Sequence, residues 1–96
     1  MTNYSLAFAK GFDDYASIIE TKGWYPEARR TFSGKQYRLT FYDPFRLRQE
    51  IEAELQRGRA FFEPNLVIVP SVNRQNMEKA IEYLIQSGGF SSLSPE

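Results

Sequence analysis

The side chains of this chain that can do chemistry are arginines and aromatics set close together. Arg29, Arg30, Lys35 and Arg38 fall within ten residues, with Tyr37, Phe41 and Tyr42 interleaved or adjacent. A guanidinium pairs bidentately with a carboxylate or a phosphate, and an aromatic ring offers rigid contact area or a surface for a base to stack on. Two partner classes suit such a set: an acidic protein surface, and RNA or single-stranded DNA.

Charge distribution separates the two. Lysines and arginines number 12, as do aspartates and glutamates, so the formal net charge is zero. Between Arg29 and Arg59, however, eight cations meet only four carboxylates, a net of plus four, and residues 1–28 and 60–96 each carry a net of minus two. An uneven field on a neutral chain points to a charged partner. Arg46–Glu50 and Arg48–Glu52 are four apart and Glu54–Arg57 three apart, spacings at which opposite charges pair along a helix. The positive excess therefore narrows to Arg29, Arg30, Lys35 and Arg38. That footprint is small for nonspecific nucleic-acid binding and adequate to anchor a protein interface. The expected partner-binding face is Arg29, Arg30, Lys35, Arg38 and Tyr42.

Other chemistry is thinly supplied. The chain has no cysteine and no histidine. Disulfides, thiolate metal sites, cysteine nucleophiles and serine–histidine–aspartate triads are thereby excluded within it. Asp13-Asp14 has the composition of a metal or acid–base pair, but neighbouring residues at a helix start diverge, and aspartate is favoured there as a cap. Glu63, beside Pro64 and after two phenylalanines, is the remaining carboxylate candidate. The expectation is a non-enzymatic binding module without cofactor, of inhibitor, immunity or adaptor type. An RNA- or single-stranded-DNA-binding domain stands second, and a small-molecule regulatory domain third.

The elements that position these residues follow from periodicity. Tyr4, Leu6 and Phe8 alternate with small residues, predicting a first strand. Asp13 to Lys22 reads as a short helix closed by Gly23, with the aromatic cluster Trp24-Tyr25-Pro26 behind it. Ser33-Gly34 is a hairpin turn, and Lys35 to Tyr42 is the strand after it. Asp43-Pro44 opens a helix with Leu47, Ile51 and Leu55 at spacing four, ended by Gly58. Arg59 to Val69 returns to strand, and the doubly apolar Leu66-Val67-Ile68-Val69 predicts cover on both faces. Asn73 caps a last helix with the stripe Met77, Ala80, Ile81, Leu84 and Ile85, closed by Gly88-Gly89.

The order strand, helix, strand, strand, helix, strand, helix predicts an α+β domain. The specific expectation is a ferredoxin-like β-α-β-β-α-β arrangement, a four-stranded antiparallel sheet with an additional C-terminal helix. Residues 1–90 form the single domain and 91–96 a flexible tail. The second sheet face needs the extra helix or a second copy of the chain, which would make a homodimer. The longest purely aliphatic run is Leu66 to Val69, too short for a bilayer. Met1-Thr2-Asn3-Tyr4 lacks the pattern of a secretion signal, so a cytoplasmic location is expected.

Overall fold

The computed structural model describes residues 6–96. A 3-10 turn at Phe12–Tyr15 leads into α1 (Ala16–Lys22). Then come β1 (Trp24–Phe32), β2 (Lys35–Tyr42), α2 (Pro44–Gln56), β3 (Leu66–Ile68) and α3 (Arg74–Ser87), and a second 3-10 turn spans Gly89–Ser92. The α+β class is as expected. The ferredoxin-like sheet is not what forms: among the described residues the sheet has three strands in the order β1-β2-β3, with β1 antiparallel and β3 parallel to β2.

The reason lies in which edges are free. β2 is paired with β1 along its whole length through the hairpin. On the far side of β1, Ala7 forms a two-bond bridge with Arg29, at 2.8 and 3.0 Å. The chain leaving β2 runs through α2 and returns on the free side of β2, as a parallel neighbour reached by a helical crossover. Of the expected first strand, Tyr4 and Ser5 lie outside the described residues. Leu6 is buried in the core. β3 is also far shorter than Arg59 to Val69, since 59–65 runs as loop and turn. As the outer strand it is not covered on both faces: Ile68 is 52% exposed.

β1 begins directly after α1 and is bent by a bulge. Tyr25 pairs with Phe41 and Ala28 with Leu39, so three steps on β1 match two on β2. The extra residue lies at Pro26-Glu27, where a proline without an N–H breaks no ladder bond. The bulge returns both Tyr25 and Ala28 to the same face, and both are buried there. At the hairpin tip, Ser33 and Gly34 have φ of 52° and 77°, the doubly left-handed geometry that matches strand twist.

The core lies between one sheet face and α3. Leu39 and Phe41 from β2 meet Met77 and Ile81 from α3 and Val72 before it, all at 0% exposure. Each such side chain contributes roughly 1.5–3 kcal/mol by leaving water. Asn73 caps α3 by accepting from the Asn76 amide at 2.9 Å. Gly88 ends it in the left-handed region. The following turn places Phe90 against Phe32, with stacked rings 4.6 Å apart. α2 is capped as expected, Asp43 Oδ1 accepting from the Arg46 amide at 2.7 Å with Pro44 in the first turn. Yet no residue of α2 is fully buried, and Phe45 and Leu55 are 72% and 60% exposed. No helix among the described residues is long and apolar enough to cross a membrane.

Candidate functional site

Strand alternation divides the expected binding face. Residues paired across β1 and β2 share a face, and successive residues alternate. Tyr25, Ala28, Leu39 and Phe41 mark the core face. Arg30, opposite Tyr37, and Lys35, opposite Phe32, fall on that same side. Arg30 is partly buried there, whereas Lys35 is exposed at the hairpin tip. Arg29 and Arg38 pair with each other on the second face. Tyr42 shares that face at its other end, but it is 4% exposed and sits beside Phe61, ring centroids 6.3 Å apart. The structure therefore brings together Arg29 and Arg38 and leaves Arg30, Lys35 and Tyr42 apart from them.

The cations of α2 are neutralised as their spacing implied. Arg46 meets Glu50 at 2.7 Å, Arg48 meets Glu52 at 3.4 Å, and Arg57 and Arg59 both reach Glu54, at 3.4 and 3.1 Å. Arg46 also lies over the Trp24 ring, 5.4 Å from its centroid, and donates to the Lys22 carbonyl. This clamps the start of α2 to the start of β1 on the second face.

Around Arg38 the second face is built as a crevice of about 340 Å³. Arg38 and Thr40 form its floor, Glu63 and Asn65 one wall, and Ser94, Pro95 and Glu96 the other. Arg38 Nε donates to the carbonyl of Pro26 at 2.9 Å, which satisfies a backbone group freed by the bulge. Arg29 Nε meets Glu96 Oε1 at 3.0 Å. Asn65 touches both sides. Its Nδ2 donates to the Arg38 carbonyl at 2.9 Å and to the Ser94 carbonyl at 2.7 Å, and its Oδ1 accepts from the Ser94 amide at 2.8 Å. The Glu96 amide donates to the Gln36 carbonyl at 2.7 Å.

Tyr42 does not line the crevice but touches one residue that does, Glu63. Its hydroxyl donates to Glu63 Oε1 at 3.3 Å. Burial, then the Glu63 charge and that hydrogen bond, push the hydroxyl up to about 12. On the core side, burial also raises Tyr25, while the Ala9 N–H donated to its oxygen at 2.8 Å pulls the other way.

A second polar cluster lies at the start of α3. Arg74 packs over Phe8 and Phe12, at 4.4 and 5.2 Å from the ring centroids, and pairs with Asp13 at 2.7 Å. Asp13 is thus held by an arginine; it makes no side-chain cap at the 3-10 turn. Among the described residues no group of three or more carboxylates is placed to hold a metal ion.

Asn65 and Glu96 are the residues that sequence reasoning missed. Asn65 carries a readable signal, since Pro-Asn before an apolar run marks a turn and asparagine tolerates the left-handed region, here at φ 53°. Glu96 carries none, because its partner is 67 residues away. Comparison with protein-family models, with curated proteins and with solved structures finds no match.

Proposed function

We propose that this chain is a non-enzymatic protein-binding module that engages an acidic partner through the second sheet face at Arg29 and Arg38. One observation carries the reading: that face already holds an acidic group of the chain itself, Glu96 on Arg29 at 3.0 Å. The pair is cross-strand, so both arginines project from one face of a rigid hairpin, and Arg38 makes no ion pair among the described residues. Arginine on a preorganised strand is a residue type that dominates interface energetics. Base stacking has less to recommend it. Tyr37, Phe41 and Tyr42 are 7%, 0% and 4% exposed, which leaves their ring faces inside the protein.

The test uses a labelled glutamate octapeptide as the acidic probe. Binding followed by fluorescence anisotropy is expected to weaken about tenfold in Arg38→Glu and in Arg29→Glu, and to weaken as salt is raised. Arg48→Glu on α2 serves as a control of the same charge change. If all three variants lose the same amount, net charge governs binding and the proposed face is wrong.

A further inference from the structure

β2 has eight residues, but β3 covers only Thr40 to Tyr42. The even-numbered residues of β2 turn their backbone groups toward β3, as shown by Thr40 N–H donating to Asn65 O and Tyr42 O accepting from Val69 N–H. Gln36 and Arg38 therefore present a length of open strand edge where β3 has stopped. An open edge is a template for another strand. Here it is met by a side chain and a short segment. The Asn65 carboxamide takes the Arg38 carbonyl, and the Glu96 amide takes the Gln36 carbonyl. Asn65 at the same time pairs with both backbone groups of Ser94. It reads that residue as a neighbouring strand would, independent of its side chain. Glu96 then reaches across the face to Arg29.

We infer that the Gln36–Arg38 edge is a strand-addition site for an extended acidic segment of a partner protein, and that residues 94–96 occupy it in competition. The inference rests on the proposed function above and gives its partner a chemistry. The segment needs a residue with both a free N–H and a C=O at the position of Ser94, which excludes proline there. Two residues later it needs an N–H and a carboxylate. The intervening residue makes no hydrogen bond, and a proline suits it because a fixed φ lowers the cost of ordering an extended peptide. The internal segment is held by neutral hydrogen bonds and by one surface ion pair, each individually weak in water. That hold is weak enough to be displaced. Its strength comes from tethering, which supplies an effective concentration in the millimolar range.

The experiment uses the full chain and a fluorescein-labelled peptide copying residues 93–96, blocked at both ends, in an anisotropy titration. Ser94→Pro removes the amide that Asn65 Oδ1 accepts, so it frees the site at an exposed position. Affinity for the peptide is expected to rise about tenfold over the parent chain. Asn65→Asp placed in the Ser94→Pro chain keeps the shape and the left-handed backbone but loses the amide donor, and is expected to abolish that gain. A peptide ending in glutamine is expected to bind at least about fivefold more weakly. Equal affinity of parent and Ser94→Pro chains would mean that residues 94–96 do not hold the site. Equal binding of the glutamine peptide would mean that no carboxylate is read. Either result overturns the inference. If the peptide binds no variant while the octaglutamate probe still binds and still responds to Arg38→Glu, only the edge site falls. If neither probe binds, the basic-face reading falls with it.

Discussion

Gly23 joins three elements, and replacing it by alanine tests how they are coupled. It ends α1 at φ 71°, its N–H donating to the Ile19 and Glu20 carbonyls, while its own carbonyl accepts the Asp43 amide at 2.9 Å. A Cβ at this position would lie 2.6 Å from Asp43 Cγ and 2.7 Å from Oδ1. Oδ1 is the atom that caps α2 through the Arg46 amide. Two costs follow. An alanine in the left-handed region costs about 1 kcal/mol, and pushing the carboxylate off its cap costs about 1 kcal/mol more, within a range of roughly 0.5–2. Gly23→Ala is thus expected to destabilise by about 2–3 kcal/mol, a fall in Tm of about 10 °C or more for a chain of this length. Asp43→Ala alone is expected to cost about 1 kcal/mol. In the Asp43→Ala chain the carboxylate is gone, so the glycine substitution should cost only the backbone term. Urea unfolding followed by Trp24 fluorescence and circular dichroism measures all four corners of the cycle. The expected coupling is about 1 kcal/mol. An identical cost for Gly23→Ala in both backgrounds would refute the contact, and a cost below about 0.5 kcal/mol in the parent would refute the backbone term as well.

Tyr42 makes stability depend on alkaline pH. Its folded hydroxyl titrates near 12 against an ordinary value of 10.0. The unfolded chain therefore loses its proton first. The contribution is fully present below pH 10 and is lost as pH rises to about 12, about 2–3 kcal/mol in all. Urea midpoints at pH 9 and 11 should converge between the parent and Tyr42→Phe chains as pH rises; a constant gap would show that the shift is absent. Ile81→Ala, at 0% exposure, is expected to cost about 2–5 kcal/mol, whereas Ile18→Ala, at 49%, should stay within about 1 kcal/mol. Similar urea midpoints for these two variants would contradict the placement of the core on the α3 side.

Local chemistry made several elements legible. Asp43-Pro44 opens α2, Asn73 opens α3, Ser33-Gly34 turns the hairpin, and Gly23 and Gly88 stop helices, because each acts through atoms within four residues of itself. What depends on distant contacts did not show. Tyr25 and Ala28 are three apart, so a strict two-residue period assigns them to opposite faces; only the bulge at Pro26 reunites them. Alternation alone already forbids Arg29 and Arg30 from sharing a face, and the five-residue site overlooked that rule. Tyr42 reads as half of a binding surface because tyrosine is common at interfaces, but Phe61 and Glu63 return over it from twenty residues away. The parallel placement of β3 has no local cause. It follows from the crossover through α2, which brings the chain back onto the free side of β2.

α2 is fastened by a cap, a cation over an indole and partly covered side chains, with no side chain fully removed from water. The domain is therefore energetically layered. The β1–β2 hairpin and α3 share the close-packed side, and α2 rests on the other with a much smaller free-energy hold. A helix in that position can detach before the rest unfolds, and as the crossover it would loosen β3 with it. Amide protons of α2 would then exchange through a partial opening, while those of Leu39, Phe41, Met77 and Ile81 exchange only on global unfolding.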